Sequence, residues 1–84
     1  MLFEARDYLV LHNVAGIYAA LSQAEPARQT ENEDLALLLL RRAVELWRRG
    51  GTGPNEVELI KNDPALKCLH GRQEYPQLVG DPMP

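Results

Sequence analysis

Residues 34–49 read DLALLLLRRAVELWRR, and the fold is decided here. Ala36, Leu40, Ala43 and Trp47 recur at spacings of four, three and four, which is one face of an α-helix. Leu37, Leu38, Leu39 and Leu40 run together and cover more than one face. This helix must therefore be contacted from at least two sides. Upstream, Thr30-Glu31-Asn32-Glu33 matches a capping box, with Thr30 as N-cap and Glu33 reaching back to its amide. That predicts a start at about Glu31, with Glu31, Glu33 and Asp34 where the helix dipole favours acids. Downstream, Arg41, Arg42, Arg48 and Arg49 lie toward the C-terminal half, the end that favours cations. Gly50-Gly51-Thr52-Gly53-Pro54 then reads as a stop and a turn.

The preceding segment, about Phe3 to Ala24, contains no proline. Tyr8, Leu11, Ala15 and Tyr18 form one helical stripe, and Val10, Val14, Ile17 and Leu21 a second. Two adjacent apolar stripes suit a helix packed between two neighbours. Gly16 costs about 1 kcal/mol relative to Ala in a helix, and its expected purpose is to let another backbone approach. Pro26 breaks the pattern before the central helix. After the glycine turn, about Asn55 to Lys61 reads as a short helix carrying Val57, Leu59 and Ile60. Asn62-Asp63-Pro64 starts another, with Asp63 as N-cap and Pro64 in the first helical position; it carries Ala65, Leu66, Cys68 and Leu69, and Gly71 ends it. A last element from Gln73 to Val79 places Tyr75, Leu78 and Val79 on one side, with Pro76 tolerable only in its first turn. No stretch alternates like a strand, so the chain predicts one all-α domain over residues 1–80 with a frayed tail at 81–84.

Composition narrows the function. Eighty-four residues make one small domain, which buries only about 60% of its unfolded surface. The single cysteine, Cys68, excludes an internal disulfide. Nine basic and 12 acidic side chains leave a net charge of −3, which argues against a general nucleic-acid binder. The start, with Glu4 and Asp7, lacks the order of a signal peptide, and no apolar run approaches the ~20 residues of a membrane span. A cytoplasmic protein is the expectation, either whole or as a piece of a larger one.

The first two helices resemble a tetratricopeptide repeat, an antiparallel helix pair with a degenerate consensus. Leu11, Val14, Ala15 and Tyr18 fall on the key positions of its first helix, and Ala36, Leu40 and Ala43 on those of its second. Leu59 to Val79 is similar to the segment that follows the last such repeat in many bacterial proteins, with Asp63, Pro64, Leu66, Leu69, Tyr75 and Leu78 in the matching places. The chain departs from the repeat in two ways. Its interhelical stretch is longer by about nine residues, and Gly50-Gly51 replace the usual closing proline. The resemblance implies a helix hairpin with C-terminal capping helices, and a role in protein–protein contacts.

Candidate chemistry is sparse. Cys68 and His70 lie two apart, but a metal site needs three or four ligands and His12 is the only other histidine. Cys68 reads as a small buried hydrophobe. A Cys/His nucleophilic pair fails because residues two apart on a helix do not face each other. Tyr8 and His12 share a face, either lining a ligand groove or packed with the imidazole satisfied. The four arginines form a stripe that either binds an acidic ligand or is a solvated face partnered by Glu45. Trp47 is either core or an interface anchor. No catalytic constellation and no cofactor site emerges, so the expectation is a non-enzymatic module that binds protein or peptide and self-associates, as a dimer in the simplest case. Its interaction residues would be Val10, Val14, Ile17, Leu21, Arg41, Trp47 and Arg48. Two alternatives stand beside it: the C-terminal tail of a larger signalling enzyme, and a small regulatory domain taking an acidic ligand on Arg41, Arg42, Arg48 and Arg49.

Overall fold

A computed structural model describes residues 7–50 and 53–80, and their regular structure is all helical, with no strand among them. Helix α1 spans Tyr8–Ala24 and α2 spans Gln29–Gly50. They pack against each other as a long hairpin. Two short helices follow, α3 at Glu56–Asn62 and α4 at Glu74–Val79, with a 3-10 helix at Pro64–Leu69 between them. The expected beginning of the first segment and the tail at 81–84 lie outside the described residues.

Small residues set the spacing of the hairpin. Ala15 and Ala19 of α1, and Ala36 and Ala43 of α2, have no exposed surface. Alanine at these positions lets two backbones come close, while Leu40, also fully buried, fills the space between. The main core joins these to Leu37, Val44, Ile60, Leu66, Leu69, Tyr75, Leu78 and Val79, so the C-terminal helices complete it. A second cluster sits at the other end of the hairpin, where Tyr8, Leu11, Ala43 and Leu46 meet, with Trp47 packed against them. Leu46 therefore faces the start of α1 and not the C-terminal segment. Leu38 stays 60% exposed: it lies opposite Leu40 on the helix, so no single neighbour can take both.

Three local expectations change. Thr30 is not an N-cap. A 3-10 turn at Pro26–Arg28 runs straight into α2, which starts at Gln29. The long interhelical stretch is thus mostly wound into helix, and Glu33 turns inward to other partners. Gly16 has no close neighbour, since a methyl group there would meet nothing within 4 Å. The segment after Asp63 is 3-10 and not α, although its start is as read: the Asp63 side chain accepts from the Ala65 amide at 2.9 Å, with Pro64 in the first turn.

Two other glycines are structural. Gly53 passes so near Tyr8 that a Cβ would come within 2.6 Å of the phenol oxygen. The same Tyr8 hydroxyl donates to the Pro54 carbonyl at 2.8 Å, which fastens the glycine turn to the first turn of α1. Gly80 closes α4 in the left-handed conformation, φ 68°, which a side chain resists.

The leucine run separates buried from exposed within one turn. Leu40→Ala should cost about 2–5 kcal/mol by leaving a cavity, whereas Leu38→Ala should change stability by less than about 0.5 kcal/mol. Urea denaturation of the two variants followed by far-UV circular dichroism checks both.

Candidate interaction surface

The two flanks of the hairpin differ completely. At 3.6 residues per turn, His12 and Ala19 of α1 and Glu33, Leu37 and Val44 of α2 fall on one flank. The C-terminal helices cover it. On that flank His12 is bracketed by two carboxylates: its Nδ1 lies 2.7 Å from Glu56 Oε2, and its Nε2 lies 2.7 Å from Asp63 Oδ2. Asp63 does two tasks, since its other oxygen caps the 3-10 helix. The hydrogen bond to Glu56 is the main reason the His12 pKa is raised; burial opposes it, and Asp63 adds to it. When protonated, the ring donates from both nitrogens to these two carboxylates. Glu56 itself is fully buried, and its second oxygen, Oε1, meets no donor among the described residues. Burial first, and the Glu56 charge second, push the Tyr8 phenol up.

Arg72 forms a second tie on the covered flank. Its guanidinium donates to Glu33 at 3.0 Å, to Glu74 at 3.2 Å and to Asp34. It therefore joins the start of α2 to the start of α4, and these carboxylates hold its pKa above the ordinary value. Glu33 also accepts from Gln29 at 3.1 Å.

The two carboxylates approach opposite nitrogens of the His12 ring, so they cannot converge on one ion. No group of three His, Cys, Asp or Glu among the described residues is placed to hold a metal. Cys68 is half-buried, with Sγ 3.9 Å from the Ser22 hydroxyl and 3.8 Å from the Ala19 carbonyl. His70 is exposed and stacks at 4.4 Å on Tyr75 instead of joining Cys68.

On the opposite flank the described residues leave apolar side chains exposed. Val14, Tyr18 and Leu21 of α1 and Leu35 and Leu39 of α2 lie on it, with Val10 and Ile17 further round the outer side of α1. Val10 is 55% exposed, Ile17 59% and Leu35 41%; Leu21 is exposed and Val14 half-buried. Across its 17 residues α1 carries no Asp, Glu, Lys or Arg, so this surface is uncharged as well as apolar. Chains with isolated exposed leucines are ordinary, but a contiguous apolar face marks a contact surface.

Comparison with known proteins returned no matching family model, no matching curated protein and no matching solved structure.

The arginines are divided. Arg41 and Arg48 line a groove of about 470 Å³ between α2 and α4, floored by Leu37, Val44 and Leu78. Asp34, Glu45 and Glu74 line the same groove, so it presents no net positive charge to an acidic ligand. Arg42 and Arg49 stand about 100° further round the helix and do not line it. Trp47 is half-buried at the far end, against the cluster of Tyr8, Leu11, Ala43 and Leu46. Among the described residues no helix is long and apolar enough to cross a membrane.

The partners of His12 were beyond sequence reasoning. Glu56 and Asp63 lie 44 and 51 residues away, and nothing local marks either as a histidine partner. The bracket has a pH signature. The folded pKa of His12 is raised above its unfolded value of about 6.5. Its stabilisation is therefore fully present below about pH 6.5 and is lost as pH rises through the folded pKa. The denaturation midpoint should fall as pH increases over that window, and this fall should be absent in His12→Gln. Urea titrations at stepped pH measure it.

Proposed function

We propose that this chain is a protein–protein interaction module of tetratricopeptide type, and that it self-associates through the outer face of α1. The observation that carries this reading is the uncharged stripe of exposed Val10, Ile17 and Leu21 and half-buried Val14 on a hairpin whose other flank is already covered. A single repeat-like hairpin cannot bury both its faces, and stacking on a neighbour is how such units complete their core. The C-terminal helices serve as the neighbour on one flank. The remaining flank calls for a second protein surface. The buried His12 and Glu56 and the half-buried Arg72 are engaged in tying helices together, which favours a structural role for them over a chemical one.

Ile17 tests the reading because it is mostly exposed and its replacement leaves the core intact. The wild type should run as a dimer at tens of micromolar by size-exclusion chromatography with light scattering. Ile17→Glu should weaken association by about tenfold or more, since a buried unpaired carboxylate is costly, with an unchanged far-UV spectrum. A wild type that is monomeric at that concentration would reject self-association.

A further inference from the structure

We infer that His12 is a pH-controlled latch on the junction between α3 and the 3-10 helix: when the ring loses its proton to solvent, Asp63 is released and Glu56 stays held. The opening is local to one end of the C-terminal cover, and it is independent of what meets the outer face of α1.

Geometry supplies the first argument. The ring is bracketed from both sides, with Nδ1 2.7 Å from Glu56 Oε2 and Nε2 2.7 Å from Asp63 Oδ2. A protonated ring has a donor for each carboxylate, whereas a neutral ring has one N–H and one lone pair. One carboxylate must then face an acceptor at hydrogen-bond distance, which repels it. Loss of a single proton therefore breaks one of the two ties.

Burial decides which tie breaks. The Glu56 side chain has no exposed surface, and its Oε1 already meets no donor among the described residues. Taking the His12 donor from Oε2 as well would add to the cost of a buried carboxylate. The Asp63 side chain is 26% exposed, so water can take the place of the ring, and its Oδ1 keeps the Ala65 amide at 2.9 Å. The remaining proton accordingly stays on Nδ1, and the Nε2 lone pair turns on Asp63. A surface hollow of about 380 Å³, bordered by His12, Asn55, Glu58, Asn62, Asp63 and Pro64, gives that carboxylate room to leave.

The backbone can yield at this point. Asp63 ends α3 and begins the 3-10 helix, in an extended conformation between the two. Its amide reaches the Ile60 carbonyl only at 3.4 Å, beyond the usual range of a hydrogen bond. Ile60 and Leu66, both fully buried, hold the elements on either side, so the opening is confined to the junction.

Other charges leave the switch to this one ring. The charges that raise the His12 pKa are those of Glu56 and Asp63, and none from α2 is among them. Tyr8, one turn earlier on α1, feels Glu56, but its phenol is pushed up and stays protonated. Glu58 of α3 borders the hollow and is exposed, where water and salt screen it. Because the folded His12 pKa is raised, the latch is shut below about pH 6.5 and opens as pH climbs through that higher value.

Nitrogen-15 NMR of the imidazole, with amide exchange corrected for its intrinsic pH dependence, tests this on the whole chain. Neutral His12 should carry its proton on Nδ1. The Leu66 amide donates to the Asp63 carbonyl at 3.1 Å, and its protection should fall by about tenfold or more as the ring titrates, since a charge-assisted bond is lost. Protection of the Leu59 amide, which donates to the Asn55 carbonyl at 3.0 Å, should hold. Asp63→Asn keeps a capping side chain and offers the neutral Nε2 an N–H, so Leu66 protection should no longer depend on pH. Glu56→Gln offers an N–H to Nδ1 instead, which should reverse the tautomer and keep Asp63 latched at high pH. The wild-type tautomer and exchange decide the matter even where a variant fails to fold. A neutral wild-type ring protonated on Nε2 would overturn the latch. So would a fall in Leu66 protection of the same size in Asp63→Asn, or an equal fall at Leu59, which would mean that the whole cover opens.

Discussion

The close approach of α1 to α2 is the constraint on which the rest depends. It is carried by four alanines without exposed surface, Ala15, Ala19, Ala36 and Ala43, with Leu40 wedged among them. A larger residue at any alanine would push the backbones apart, and packed interiors have little room to absorb that. Once the pair is set, the direction of every other side chain on both helices follows from the helical period. Leu37 and Val44 are turned toward the C-terminal helices, Leu11 and Leu46 toward the Tyr8 end, and Val10 and Ile17 outward. The short helices then have one flank available to cover, and they cover it.

Polar ties hold that cover in place. His12 joins α1 to both ends of α3 through Glu56 and Asp63, and Arg72 joins α2 to α4 through Glu33, Asp34 and Glu74. These ties are directional where apolar packing is not. Three elements of seven, six and six residues are too short to be helical on propensity alone, so their placement has to come from contacts. Burying Glu56 has a cost, because Oε1 meets no donor among the described residues and an unsatisfied buried oxygen loses its hydration. The His12 charge offsets part of that cost. Breaking the pair from either side is therefore more harmful than the absence of both groups would be.

Local patterns in the chain showed the elements, and long-range geometry supplied what they lacked. The stripe Tyr8, Leu11 and Ala15, the stripe Ala36, Leu40 and Ala43, the Asp63-Pro64 start and the trio Tyr75, Leu78 and Val79 were all legible, because each is written within a few turns of helix. Thr30 misled because the capping-box spacing is short and common. The preceding Pro26–Arg28 turn already supplies the helix start, and Glu33 is drawn inward by Arg72 from 39 residues away. The neighbour of Leu46 is of the same kind, since which group occupies that direction depends on where the first turn of α1 ends up. The partners of His12 belong to the same class of information.

The uncovered flank has the reverse character. Its residues were legible as a stripe, and the fold explains why the stripe is left over. Covering both flanks of a hairpin takes apolar side chains on both sides, and the described C-terminal helices cover one. The chain could have made the second flank polar, as a solitary hairpin would need to. Instead α1 carries no Asp, Glu, Lys or Arg, and its one titratable imidazole, His12, is turned to the covered flank. An isolated domain gains nothing from exposing Val10 and Ile17, whose burial would be worth about 1.5–3 kcal/mol each when complete. That unspent burial is large beside the few kcal/mol of margin available to a domain this small. The placement of charge and the placement of apolar surface on α1 thus agree, and both set this face apart from the covered flank.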